Sequence, residues 1–237
     1  MTSDLAVVAG ASGGIGRAIA GRLSANGVRV IAVSRRRPDG WQDKEWIEAD
    51  ILDEVALAAA AARIAVAGVP TRIVVATGRL HGPHLAPEKS MRALSFESLA
   101  EAFTVNAVGP ALVAKHLLPL TPRDRPSLFA ALSARVGSIG DNHLGGWYGY
   151  RASKAALNML IRTLAIEHRR TRPLGICVAL HPGTVDTALS APFQSGVPDA
   201  KLFSPEQAAE ALLTVMDALR PESNGGFFAW DGMPVPW

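Results

Sequence analysis

The sequence predicts an α/β fold: a doubly wound, mostly parallel sheet of about seven strands flanked by helices, in one domain over residues 1–237. Three observations carry this. Short apolar runs alternate with longer stretches of helical period along the whole chain. The runs are apolar throughout rather than at every second residue, as expected of strands covered on both faces. The first run leads straight into a glycine-rich turn that opens a helix, and no repeat, linker or low-complexity tract interrupts the pattern.

The elements follow in order. Leu5–Ala9 is the first strand, and the helix after the turn ends near Asn26, where Gly27 closes it. Strands are expected over 28–34 and Trp46–Glu48, with an alanine-rich helix from Glu54 to about Ala67. A strand over 71–76 leads into a loop rich in Gly, His and Pro. Residues 96–118 read as one long helix bent near Pro110. Ser127–Leu132 is a strand, 148–168 a strong helix and 175–180 another strand. Residues 182–203 are irregular, 205–219 form a helix capped by Ser204, and 227–230 form the last strand.

Composition narrows the function classes. Hydrophobic residues make up 49% of the chain, mostly Ala, Val and Leu, so a disordered chain is excluded. The net charge of +3 is modest, and the basic cluster His168-Arg-Arg-Thr-Arg172 lies at a helix end, where cations suit the dipole. No aromatic residues interleave it, so no nucleic-acid partner is expected. The single cysteine, Cys177, rules out an internal disulfide and reads as a buried thiol. His81 and His84 are the one close histidine pair, without a third ligand at zinc spacing, so no metal is expected. The start, MTSDLAVVAG, is unlike a signal peptide, and no run reaches the roughly 20 apolar residues of a membrane span. A cytoplasmic protein without membrane partners is the expectation. A Gly-x-Ser-x-Gly nucleophile elbow is absent.

The turn reads Gly10-Ala-Ser12-Gly-Gly14-Ile15-Gly16. Glycines between a strand and a helix let backbone approach a pyrophosphate seated on the helix N-terminus, the arrangement of a Rossmann-type dinucleotide site. No Gly-Lys-Ser/Thr follows, which excludes a P-loop. After the second strand, where a carboxylate would hold the ribose 2′-hydroxyl of NAD, the chain has Ser34-Arg35-Arg36-Arg37. Arg35 and Arg36 suit a 2′-phosphate through paired, charge-assisted bonds, so NADP(H) is the expected cofactor.

Tyr148 and Tyr150 are the only tyrosines. Tyr150 stands four residues before Lys154 and shares its helix face, whereas Tyr148 does not. A neighbouring ammonium is expected to lower the Tyr150 pKa and make the phenol a usable acid towards a carbonyl oxygen.

Gly10-x-x-x-Gly14-x-Gly16, Asn106, Ser133 at a strand end, Tyr150-x-x-x-Lys154 and His181-Pro-Gly-Thr-Val-Asp-Thr187 together resemble the short-chain dehydrogenase/reductase family across nearly the whole chain. The stretch SARVGSIGDNHLGGWYGYRASKAALN and the ending GGFFAWDGMPVPW are similar to its C-factor-like and sniffer-like carbonyl reductase branch. The resemblance implies hydride transfer between a nicotinamide and a carbonyl or alcohol. Tyr150 would donate the proton, Lys154 would hold the nicotinamide ribose, and Asn106 would keep a water-linked proton path. It also implies cofactor contacts from Ser12, Ile15, Asp50, Thr77, Gly78, Pro182, Gly183, Val185 and Thr187. A homo-dimer or homo-tetramer paired through 96–118 and 148–168 is implied by the resemblance alone.

Two departures stand out. Where the family commonly has Asn-Asn-Ala-Gly, this chain has Val75-Ala76-Thr77-Gly78. Where it commonly has a second serine at the end of the fifth strand, the simplest alignment places Ala134. Ser133 and Ser138 are the two candidates for the missing hydroxyl. Leu189, Pro192, Phe193, Val197, Leu202 and Phe203, with Leu144 and Trp147 opposite, are expected to form an apolar pocket for a hydrophobic aldehyde or ketone. The rival expectation, motivated by the same departures, is a nucleotide-binding signalling or structural protein of little turnover.

Overall fold

The computed structural model describes residues 4–82 and 86–237; residues 1–3 of the chain start and His84 of the histidine pair lie outside them. Strands β1 (Leu5–Ala9), β2 (Arg29–Ser34), β3 (Trp46–Glu48), β4 (Pro70–Val75), β5 (Ser127–Leu132), β6 (Gly175–His181) and β9 (Phe227–Ala229) form a seven-stranded sheet. Its order is β3-β2-β1-β4-β5-β6-β9, and every neighbouring pair is parallel.

Residues alternate between two cores, as the period of a strand requires. Val7, Val33, Ile73 and Phe129 meet helices α2 (Glu54–Ala67), α4 (Gly109–Leu117) and α5 (Tyr148–Arg169) through Leu57, Val113, Leu157 and Ile161. Ala6, Val8, Val74 and Leu180 meet α1 (Gly14–Ala25) and α6 (Pro205–Ala218) through Ile19, Leu23 and Leu212. Cys177 is buried in the first core, and burial pushes its thiol up to about 12. The α6 cap is a full capping box between Ser204 and Gln207.

The long helix predicted over 96–118 is broken differently from expectation. Helix α3 (Phe96–Phe103) runs into a π-turn at Thr104–Val108 before α4 begins. The irregularity therefore lies ahead of Pro110 rather than at it. Proline has no N–H for the carbonyl four residues back, and its ring crowds that carbonyl, so the helix widens over the preceding turn. Asn106 lies in this turn and is fully buried. The irregular segment 182–203 also holds structure: β7 (Thr184–Val185) pairs in parallel with β8 (Leu202–Phe203).

Chain order reverses between β1 and β4, which opens a crevice at the carboxyl ends of the strands.

Candidate active site

The crevice is walled at one end by Gly10, Ser12, Gly13, Ser34, Arg35, Asp50, Thr77 and Gly78. It continues along Gly14, Ile15, Leu132, Ser133, Tyr150, Lys154, Pro182, Thr187 and Leu189. Arg35, Thr77 and Gly78 belong to both stretches, so one trough runs from the glycine turn to the tyrosine–lysine pair.

The turn is shaped by contacts that only glycine tolerates. Gly10 has φ +83°, and a Cβ there would stand 2.8 Å from Thr77 Cγ2. A Cβ on Gly16 would fall 2.3 Å from the Gly10 carbonyl oxygen. The residue before α1, Gly13, caps it with no side chain, and its first turn holds no carboxylate. Its leading N–H groups thus face the trough without a side-chain acceptor, which suits an anion. Thr77 Oγ1 is buried there with no hydrogen-bond partner among the described residues. These features fit the phosphates and ribose of a dinucleotide. Gly10, Ser12, Gly14, Ile15, Thr77 and Gly78 are the residues that would hold it.

The three arginines separate. Arg35 lines the trough with its side chain 71% exposed, and its Nη1 lies 3.8 Å from Asp50 Oδ2. Asp50 also accepts a hydrogen bond from the Leu52 N–H at 3.0 Å. Arg36 is exposed and outside the trough walls, its carbonyl accepting the Ser34 hydroxyl at 2.7 Å. Arg37 is spent on structure, stacked 4.9 Å over the Trp46 ring and donating to the Trp41 and Gln42 carbonyls. Pro182 and Thr187 reach the trough. Gly183 and Val185 lie behind it: Gly183, at φ +79°, packs under the Phe203 ring, and Val185 is buried in β7.

At the other end Tyr150 and Lys154 meet on one face of α5, with Lys154 Nζ 5.9 Å from the tyrosine ring centre. Nζ donates to the Leu132 carbonyl at 2.8 Å. Burial pushes the Lys154 pKa down to about 8. Tyr150 keeps part of its surface open to the trough, yet the protein packed round it raises the phenol above its usual value. This reverses the expected lowering. The ammonium is turned towards the Leu132 carbonyl, so loss of hydration outweighs its charge. Tyr148 begins the helix and is 40% exposed.

Asn106 holds the backbone of Arg79 rather than the lysine. Its Oδ1 accepts the Arg79 N–H at 2.7 Å, and its Nδ2 donates to the Arg79 carbonyl at 2.8 Å and to Ser153 Oγ at 3.0 Å. The amide keeps one Oδ1 lone pair beyond these bonds. Of the two serines, Ser133 stands in the trough wall and Ser138 does not. Ser133 Oγ donates to Asn158 Oδ1 at 2.6 Å, one helical turn beyond Lys154. Ser138 follows a short 3-10 turn, Arg135–Gly137, and its Oγ accepts the Asp141 N–H at 3.1 Å.

The apolar wall is smaller than predicted. Leu189 lines the trough, and an arc of edge-on rings, His81–Phe193–Trp147–Tyr150, stands beside it at 5.7, 5.2 and 6.2 Å. Leu144 is 91% exposed, and Phe203 packs on Trp230 at 4.7 Å, so neither contributes. Arg79 and His81 also line the trough, neither of them an expected site residue. Arg79 pairs with Glu101, and His81 Nε2 meets the Ala188 carbonyl at 2.9 Å. Arg79 was signalled only by its place after Gly78.

The short chain dehydrogenase family model matches residues 4–197. The chain belongs to that family. It is accordingly an oxidoreductase with the family's Rossmann-like fold. It is 39% identical over 145 residues to C-signal of Myxococcus xanthus, covering 61% of this chain and 81% of that protein. It is 31% identical over 188 residues to 1-hydroxy-2-glutathionyl-2-methyl-3-butene dehydrogenase of Rhodococcus sp. strain AD45, covering 79% and 78%. Among solved structures, the NADPH-bound carbonyl reductase from chicken fatty liver superposes over 100% of both chains with TM-score 0.84 at 23% identity. The carbonyl reductase Sniffer of D. melanogaster does so with TM-score 0.84 at 22% identity. A Burkholderia multivorans short-chain dehydrogenase/reductase with bound NADP is 28% identical, with TM-score 0.82, over 99% of this chain and 100% of that one. No helix among the described residues is long and apolar enough to cross a membrane.

Proposed function

We propose that this oxidoreductase reduces a hydrophobic aldehyde or ketone to the alcohol, with NADPH as cofactor and Tyr150 as proton donor. The observation that carries the reading is the shared trough: the glycine turn, Arg35, Tyr150 and Lys154 line one continuous cleft. When bound, the nicotinamide supplies the hydride. The chain's residues do the rest. The Tyr150 phenol is protonated at neutral pH and lines the trough, so its proton can meet a carbonyl oxygen there. Lys154 retains ammonium protons beyond its bond to Leu132, for a ribose hydroxyl and for water. The free lone pair on Asn106 Oδ1 is the acceptor for such a water. Leu189 and the ring arc offer an apolar surface next to the phenol, which favours a hydrophobic substrate. Arg35 in the trough and the absence of a carboxylate directly after β2 favour the 2′-phosphate, although Asp50 competes for the guanidinium. The NADP-bound Burkholderia relative points the same way. We place the protein in the cytoplasm as a soluble homo-oligomer acting on small molecules, on the family resemblance.

A screen for NADPH oxidation over aldehydes, ketones and quinones, run beside Tyr150→Phe, tests this. Turnover in the wild type should fall by about 100-fold or more in the variant, with NADPH still bound. Equal rates in the two proteins would remove Tyr150 from the chemistry. The second reading, a nucleotide-binding signalling protein, draws on the serines, because the Ser133 proton is committed to Asn158 and Ser138 lies outside the trough walls. NADPH binding without turnover of any carbonyl would favour it.

A further inference from the structure

Helix α5 begins without a cap of its own. Trp147, at the capping position, has φ +52° and is the only non-glycine residue in the left-handed region among those described. It follows Gly145 and Gly146 at φ +63° and +64°. A serine or aspartate would normally stand here and accept an N–H of the first turn. The acceptor comes instead from Glu88, 61 positions before Gly149 in the loop after β4. The Glu88 carbonyl accepts the Trp147 N–H at 2.6 Å, and its Oε2 accepts the Gly149 N–H at 3.0 Å. The residue is only 3% exposed, and its Oε1 has no partner among the described residues.

We propose that Glu88 is a positioning residue for the active site, acting through Gly149 and Trp147 on Tyr150. The proposal rests on the reading of Tyr150 as proton donor. Its carboxylate caps the positive end of a 22-residue helix, and the residue after the capped N–H is Tyr150 itself. Its carbonyl pins Trp147 in the strained turn, where the indole stands edge-on to Tyr150 at 6.2 Å. The loop it belongs to also supplies Gly78, Arg79 and His81 to the trough, so one segment fixes both the cleft floor and the aim of the phenol. Gly149 is the matching half of the device. A Cβ there would stand 2.9 Å from Glu88 Oε1, so a larger residue makes the carboxylate shift from this seat on the helix.

The two tyrosines make the test direct. In a Tyr148→Phe background Tyr150 is the sole tyrosine, and one ring-carbon resonance of 13C-labelled protein reports its surroundings. Glu88→Ala should move or broaden that resonance and lower kcat by about 10- to 100-fold, with the NADPH Kd held within about twofold. Glu88→Gln keeps an amide oxygen for the Gly149 N–H and should return the resonance towards its original position. Gly149→Ala should displace the carboxylate from outside: alanine's helix preference offsets part of the lost cap, so Tm falls less than in Glu88→Ala while the resonance moves and kcat falls. A Tm loss in Glu88→Ala with the Tyr150 resonance unmoved in both alanine variants would overturn the proposal. The resonance decides it even if no carbonyl is turned over, so this failure is separable from failure of the catalytic reading.

Discussion

Replacing Thr77 by valine separates the empty protein from the nucleotide-bound one. Valine has nearly the shape of threonine and removes only the hydroxyl. That hydroxyl is buried beside the glycine turn with no partner among the described residues, so in the empty protein it costs more than it returns. An unmatched buried polar group costs about 1–3 kcal/mol; taking the low end for a group at an open cleft, the variant gains about 1 kcal/mol. For a chain of this size that raises Tm by about 2–4 °C. With NADPH bound the sign inverts, because the hydroxyl then has its partner. Losing that bond costs the complex about 1 kcal/mol, which with the about 1 kcal/mol gained by the empty variant makes about 2 kcal/mol, close to a 30-fold rise in Kd. Thermal unfolding without cofactor and titration of NADPH fluorescence measure the two terms. A variant less stable than the wild type when empty, and equal to it in NADPH affinity, would refute the assignment of Thr77 to the cofactor.

Other expectations follow from the same geometry. Arg35→Ala should weaken NADPH by about tenfold and leave NADH nearly unchanged, since only the phosphate addresses the guanidinium; equal losses would sink the 2′-phosphate argument. Arg36→Ala should have a smaller effect, because Arg36 lies outside the trough walls. Ser138→Ala should leave kcat within a few-fold of wild type. Ser133→Ala, which leaves the buried Asn158 Oδ1 without its donor, should show the larger loss if a serine assists Tyr150, and steady-state kinetics of the pair decides. Burial pushes His168 and His181 down to about 4 in the folded chain, from 6.5 when unfolded. The unfolded chain therefore binds more protons between these values, and stability is full above pH 6.5 and falls as pH drops towards 4. Denaturant midpoints across that range should fall less steeply in His168→Gln, which has no proton to take up.

The sequence by itself determined whatever depends on local spacing. Alternating apolar runs and helical stretches specified a parallel sheet because both patterns arise within a few residues. The glycine turn after β1 and the Tyr150–Lys154 pair were legible for the same reason: a turn and an i, i+4 helix face are short-range geometry. Placing 182–203 as wholly irregular missed β7 and β8, whose two-residue pairing across 18 positions has no local pattern. Only the tertiary structure decided what depends on burial and on distant partners. The direction of the Tyr150 shift followed from how much protein surrounds it, which the neighbouring lysine could not foretell. The serines were separable only once β5 and α5 were packed, which turns Ser133 towards Asn158 and leaves Ser138 with Asp141. Glu88 itself lay unremarked in the loop after β4, although an uncapped helix start after two glycines implies a cap from elsewhere. A backbone N–H that its own segment cannot satisfy must find its acceptor across the fold, and no run of sequence records which residue supplies it.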